Sequence, residues 1–155
     1  MLFGCVFDRI RSMEHARADL ATRLHAGREL LLGAAADLSG VGSDELYRLA
    51  ADAAGLVAAA RAFQAAVVIE AEQRGVIASS DHPKVAAWVE QSYRDADVPV
   101  APAHARVLAE VTRTCTAHDV TPLRDAVTTG ECSIETAARV AATYRRMRPK
   151  VDVDC

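Results

Sequence analysis

The sequence predicts an all-α fold, and its composition and hydrophobic spacing carry this prediction. Hydrophobic residues make up 51% of the 155 residues and aromatic residues only 5%, so the core must be built mainly from Ala, Leu and Val. Alanine has the best helix propensity and little bulk, which favours closely packed helices over a sheet. We expect about six helices, namely a long antiparallel helical hairpin at about residues 7–74 followed by about four shorter helices at residues 83–147, with a helix-turn-helix-like C-terminal end.

The domain organisation follows from a difference in helix length and hydrophobic pattern between the two parts of the chain. A chain of 155 residues has the usual length of one domain. The long hairpin, however, carries a heptad pattern that the short helices lack. This predicts a hairpin subdomain at residues 1–75 and a short-helix subdomain at residues 76–155, with one continuous domain as the alternative.

The first helix is predicted to extend from about Phe7 to Leu38. Its apolar residues share one face at helical spacing, and they are Leu20, Leu24, Leu31, Ala35 and Leu38. Gly27 and Gly33 weaken this helix, because glycine costs backbone entropy in a helix interior. A break near either glycine is therefore the alternative to one continuous helix.

The second helix has the clearest signals. Ser43 is a good N-cap, the acidic residues that follow it suit the positive end of the helix dipole, and Gly75 ends the helix. Apolar residues then alternate three and four apart in a heptad seam, which consists of Leu46, Leu49, Ala53, Leu56, Ala60, Phe63 and Val67. We favour packing of this seam on the first helix over an intermolecular coiled coil, which stays open as the alternative.

Prolines mark the third and fourth helices. Pro83 is expected in the first turn of a helix that carries Trp88, and Trp88 on an apolar face is expected to anchor the core. A linker that contains Pro99 follows at residues 94–101, and Pro102 then opens the fourth helix.

Capping residues define the last two helices. Thr121 and Pro122 are expected as N-cap and first helical residue of a short helix that ends at Gly130. Ser133 is the expected N-cap of the sixth helix, and Pro149 is expected to stop it.

The last two helices resemble a helix-turn-helix unit without the residues that let such a unit read DNA. Ala126 and Gly130 match the small residue and the turn glycine of such a unit. Charged residues stand where apolar ones are wanted, namely Asp125, Glu131 and Arg139. The second helix would begin with Glu131 and Glu135, which repel phosphates. We therefore expect two packed core helices rather than a sequence-specific DNA reader.

The densest positive patch lies at the far end of the sixth helix. Its candidate nucleic-acid-binding residues are Arg139, Tyr144, Arg145, Arg146, Arg148 and Lys150. Tyr144 is suited to stacking on a base. The alternative is that the basic residues only interact favourably with the negative end of the helix dipole, an arrangement that needs no ligand. The net charge of -3 lacks the basic excess of a dedicated nucleic-acid binder, so we expect any DNA contact to be weak and non-specific.

The sequence contains no recognisable catalytic, metal or cofactor site. Cys115 and His118 are one turn apart and form half of a zinc pattern, so no metal is predicted. The four cysteines are widely spaced, which favours reduced thiols in a cytosolic protein. A nucleophile elbow, a phosphate-binding glycine loop and a dinucleotide fingerprint are all missing, so neither an enzyme nor a cofactor is predicted.

The apolar run at the N-terminus is too short for the core of a signal peptide, because the charged residue Asp8 directly follows it. No apolar run approaches the ~20 residues of a membrane span. We expect a soluble, cytoplasmic protein with no membrane partner.

Several ordered motifs resemble one protein family. They are EAEQRG at residues 70–75, AAWV at 86–89, AHAR at 103–106, and the apolar helix, GxxS turn and Ala-rich helix at 123–137. In this order they resemble the N-terminal helical domain, a domain of unknown function called the 13E12 repeat family or DUF222, of HNH endonuclease-like proteins from high-GC Gram-positive bacteria. The resemblance covers most of residues 43–144.

The resemblance implies an accessory role rather than nuclease activity. Members of the family continue to a C-terminal HNH nuclease, which needs histidines and usually an asparagine around its metal. This chain has no asparagine, and its last histidine is His118, so the nuclease module is missing from it. The implied function is a non-catalytic helical module that supports DNA engagement or assembly. The chain would then be either a genuinely short member of the family or a truncated one. The alternative is a protein–protein interaction or homodimerisation module that pairs helices through the seam.

Overall fold

The fold is all-α, as predicted. The computed structural model describes the backbone of residues 3–117 and 120–151, and the side chains of residues 19–117 and 120–147. Within these residues there are six α-helices, one 3-10 helix and no strand. The helices are α1 (Phe3–Ala34), α2 (Ser43–Gln73), α3 (Val85–Asp95), α4 (Pro102–Thr116), α5 (Thr121–Thr129) and α6 (Ile134–Val151), with the 3-10 helix at Ala35–Gly40.

The chain divides into two compact units, and the division falls inside α2. Unit 1 is Met1–Ala51 and unit 2 is Asp52–Cys155. The last part of α2 therefore belongs with the short helices, because its buried residues join their core. The subdomain boundary at Gly75 stays a prediction.

In unit 1, α1 passes through Gly27 and Gly33 without a break. It ends at Ala34, where the 3-10 helix replaces the last turn that the sequence analysis assigned to α1. Its predicted apolar face is exposed, since Leu24 and Leu31 are 52% and 56% accessible. The hairpin pairing of this face stays a prediction.

Unit 2 has a close-packed core around α4. The fully buried residues of α4 include Ala105, Leu108 and Val111, each 0% exposed. They pack with buried residues from every other helix of the unit, which are Ala65, Val68, Ile69, Val89, Val127, Ile134 and Ala137, and with Ile77 from the turn after α2. Trp88 is half-buried and packs against this cluster, so it lies at the edge of the core rather than at its centre.

The turn between α5 and α6 is built as its residues require. Gly130 has φ +83, a left-handed conformation that glycine adopts without strain, and a Cβ added there would lie 3.5 Å from the Cβ of Ala62 on α2. Ser133 caps α6, because its Oγ accepts a hydrogen bond from the backbone N–H of Thr136 at 3.2 Å. The predicted glycine turn and serine cap are confirmed.

Two proline predictions were wrong. Pro83 precedes the N-cap residue Lys84 of α3 and lies outside the helix. Pro149 does not stop α6, whose helical backbone continues to Val151. A proline near a helix end removes one hydrogen bond, but its fixed φ is close to the helical value, so the last turn can persist.

The prediction that no segment is suited to span a membrane also needs correction. α2 is long and apolar enough to do so by length and composition. A core helix of a soluble protein meets the same criteria, and the residues of α2 from Ala62 onward supply four buried side chains to unit 2.

Candidate nucleic-acid interface

The positive patch lies on the second half of α6. Between residues 136 and 151 the chain has five basic residues and no acidic one. The structure describes the side chains of Arg139, Arg145 and Arg146, whereas those of Arg148 and Lys150 lie outside the described residues. All three described arginines are exposed, but their surroundings differ.

Arg145 is held against α4. Its Nη2 lies 2.6 Å from Oε1 of Glu110, whose side chain is only 19% exposed. The other carboxylate oxygen of Glu110 lies 3.4 Å from Nη1 of Arg113. Because Glu110 is largely buried, the ion pair holds the guanidinium of Arg145 at the α4–α6 contact, and this arginine is less free to bind a phosphate.

Among the described residues, the side chains of Arg139 and Arg146 form hydrogen bonds only within α6. Arg139 donates from Nη2 to Oγ1 of Thr136 at 3.2 Å, and Arg146 donates from Nε to the carbonyl oxygen of Ala142 at 3.3 Å. Arg146 follows Arg139 by seven positions, which is close to two helical turns. The two arginines therefore lie on the same side of the helix, about 10.5 Å apart along its axis. This spacing forms a basic row with guanidinium groups free to turn outward.

An apolar strip lies beside this basic row. Val140 and Met147 are 46% and 53% exposed, and half-buried Tyr144 borders them. Together these side chains line a shallow groove with Thr136, Arg139 and Thr143. We call Arg139, Val140, Tyr144, Arg146 and Met147 the outer face of α6.

The beginning of α6 is negatively charged. A hydrogen bond from its own backbone N–H and the nearby guanidinium of Arg61 lower the pKa of Glu135 below its usual value. Nη1 of Arg61 lies 3.4 Å from the Glu135 carboxylate. Glu135 therefore stays ionised at neutral pH, and its carboxylate disfavours a phosphate beside it.

The seam residues of α2 are largely exposed, and each of the large ones presents apolar surface. Leu46, Leu49, Leu56, Phe63 and Val67 are 41%, 40%, 52%, 39% and 42% accessible. Ala53 and Ala60 are exposed as well. Phe63, Ala60 and Val67 also line a groove of about 470 Å³ with Trp88 and Tyr93 from α3. The helix-pairing role of the seam stays a prediction.

A polar cluster borders this groove, and the sequence analysis did not identify it. Nε2 of Gln64 donates to the hydroxyl of Tyr93 at 3.1 Å, and Nε2 of His104 lies 3.1 Å from Oε1 of Gln64. The rings of Tyr93 and His104 meet edge to face, with centroids 6.0 Å apart. The three residues come from α2, α3 and α4, so no local spacing in the sequence connects them.

Cys115 is an inert core thiol. It is 6% exposed, and burial raises its pKa to about 11 despite the opposing effect of Arg124. Cys115 and Cys132 are free cysteines. In the part of the chain that the structure describes, no group of three or more His, Cys, Asp or Glu side chains is arranged to hold a metal ion. His118, the other half of the pattern considered above, lies outside the described residues.

Comparison with protein-family models, curated proteins and solved structures finds no match to this chain. The resemblance carried by the motifs of residues 43–144 therefore stays a prediction.

Two surfaces among the described residues offer candidate binding chemistry, and they are the outer face of α6 and the seam of α2.

Proposed function

We propose that the chain is a non-catalytic, cytoplasmic helical module that contacts DNA weakly and non-specifically through the outer face of α6. The observation that carries this proposal is the exposed basic row of Arg139 and Arg146 on a half-helix without acidic residues. Phosphate contacts by arginine supply affinity without sequence preference. The net charge of -3 limits the attraction to this local patch.

The proposal agrees with the resemblance to the front domain of HNH endonuclease-like proteins. A module of this kind contributes DNA engagement or assembly while another part of the protein carries the chemistry. The geometry adds that Arg145 has a structural partner in Glu110. Among the three described arginines of the patch, phosphate contact therefore falls mainly on Arg139 and Arg146.

We expect the affinity for duplex DNA to fall steeply with salt. Replacing both Arg139 and Arg146 by glutamine should lower the slope of log K against log salt by about two, because each lost phosphate contact removes about one. Fluorescence anisotropy with a labelled duplex, repeated over a series of salt concentrations, measures this slope.

Arg94→Gln is the matched control, because Arg94 is an exposed arginine on α3 that contacts only Gln91 among the described residues. It removes one positive charge, half of what the double variant removes, and should leave the slope nearly unchanged. Equal effects per removed charge in the control and the double variant would assign the binding to net charge alone. Absence of binding to both duplex and single-stranded DNA, even at low salt, would refute the DNA function.

The second candidate function is helix pairing between two copies of the chain, and the exposed seam of α2 supports it. Leucines and a phenylalanine at heptad spacing are the usual contact residues of paired helices. Exposure of Leu56 and Phe63 leaves apolar area that pairing would remove from water.

For this candidate we expect the molar mass to rise with protein concentration and Leu56→Lys to abolish that rise. A lysine in the seam would bury an unpaired charge between the helices. Light scattering coupled to size-exclusion chromatography measures the mass. Tyr47→Lys is the control, since Tyr47 is 80% exposed and lies outside the seam. A constant monomer with unchanged helicity would contradict self-association.

A further inference from the structure

The arrangement of side chains around α6 separates two kinds of contact. Arg139 and Arg146 form one edge of the outer face, and Val140 and Met147 form its middle. Tyr144 forms the other edge, about 140° around the helix from Arg139 when successive residues are about 100° apart. A ligand that lies across this face meets cations, then apolar surface, then an aromatic ring.

We propose that the outer face of α6 binds single-stranded DNA in preference to duplex DNA, with Tyr144 stacking on an unpaired base. This inference rests on the proposed function and specifies its ligand. The phosphates of the strand lie along Arg139 and Arg146, and its bases extend over Val140 and Met147 toward Tyr144.

The apolar strip is the reason for the preference. A duplex keeps its bases paired inside and presents charged phosphates outward, so it would place polar backbone against Val140 and Met147, which are about half exposed. An unpaired base has an apolar face that suits both the strip and the tyrosine ring. Stacking on aromatic side chains is also independent of sequence, because every base has such a face.

The charge of the surroundings supports the same occupant. The second half of α6 has no acidic residue, whereas Glu135 at its beginning is ionised and paired with Arg61. The phosphates of a strand are therefore attracted to the part of α6 that carries Arg139 and Arg146, next to the apolar strip and Tyr144. A neutral or cationic apolar partner would gain nothing from the arginine row.

The test compares a fluorescein-labelled oligothymidine of about 20 nucleotides, longer than the usual site of one small domain, with a duplex of equal length. Anisotropy titrations at about 50 mM salt measure both affinities, since phosphate contacts are strong at this ionic strength. We expect tighter binding of the single strand. Tyr144→Leu should weaken it about 5- to 150-fold, the range for loss of one stacked base, and Tyr144→Phe should preserve it.

Tyr47→Leu provides the control for loss of an exposed tyrosine elsewhere, and circular dichroism of each variant establishes that the helices are intact. Duplex binding that equals or exceeds single-strand binding, or a Tyr144→Leu variant that binds the single strand normally, would overturn this inference and leave the DNA function standing. Failure of the unmodified protein to bind either probe would overturn both.

Discussion

Leu108→Ala is expected to lower the free energy of unfolding of unit 2 by about 2–5 kcal/mol, the usual range for removing a buried leucine. Leu108 is 0% exposed on α4, which packs on α3, α5 and α6. Surrounding helices cannot collapse fully into the space left by the side chain, so a cavity remains. Trp88 is the only tryptophan and packs against the same core, which makes its fluorescence a probe of urea unfolding.

Leu30→Ala is the control for this experiment, because Leu30 is 75% exposed on α1. Its effect should stay within about 0.5 kcal/mol, as for most surface substitutions. If Leu108→Ala cost no more than Leu30→Ala, the close packing of α4 at the centre of unit 2 would be wrong.

Unit 2 is also expected to lose stability in alkali as Cys115 ionises. The pKa of this thiol is about 11 in the folded chain against an ordinary value of 9.0. The folded state therefore holds the proton more tightly than the unfolded state. The free energy of unfolding is unaffected by ionisation of this thiol below pH 9.0. It falls by about 2–3 kcal/mol in total as the pH rises toward about 11.

Urea unfolding at a series of pH values measures this loss. Tyrosines and lysines also titrate in alkali, so the informative quantity is the difference between the unmodified protein and Cys115→Ala. The variant is less stable at neutral pH because of its small cavity, but the gap should narrow between pH 9 and 11. A gap that stays constant over this range would mean that the Cys115 thiol is not held in an apolar environment.

The sequence predicted much of the secondary structure, because helix ends depend on local residues. Pro102 begins α4, and Gly130 and Ser133 form the α5–α6 turn, as expected. Two predicted N-caps were wrong by one residue: Ser43 is the first residue of α2, and Thr121 is the first residue of α5, whose N-cap is Val120. Pro149 shows the limit of such signals. A proline excludes one hydrogen bond, and whether a helix ends there depends on the last turn as a whole.

The contacts between helices were beyond prediction from spacing. The ion pair of Arg145 joins α6 to Glu110 on α4, and the polar cluster gathers Gln64, Tyr93 and His104 from three helices. Each contact depends on how the helices are placed against one another. The residues of the basic patch could therefore be identified from the sequence, whereas the structure was required to show that Arg145, unlike Arg139 and Arg146, is paired with a carboxylate.

The division of the chain inside α2 has a consequence for the dynamics of this helix. Every residue from 43 to 61 is exposed, whereas Ala62, Ala65, Val68 and Ile69 are buried. We expect amide protons in the first stretch to exchange through local opening, and those in the second to exchange only when the core of unit 2 opens. One uninterrupted helix should thus show a steep gradient of hydrogen-exchange protection, with its step near Ala62.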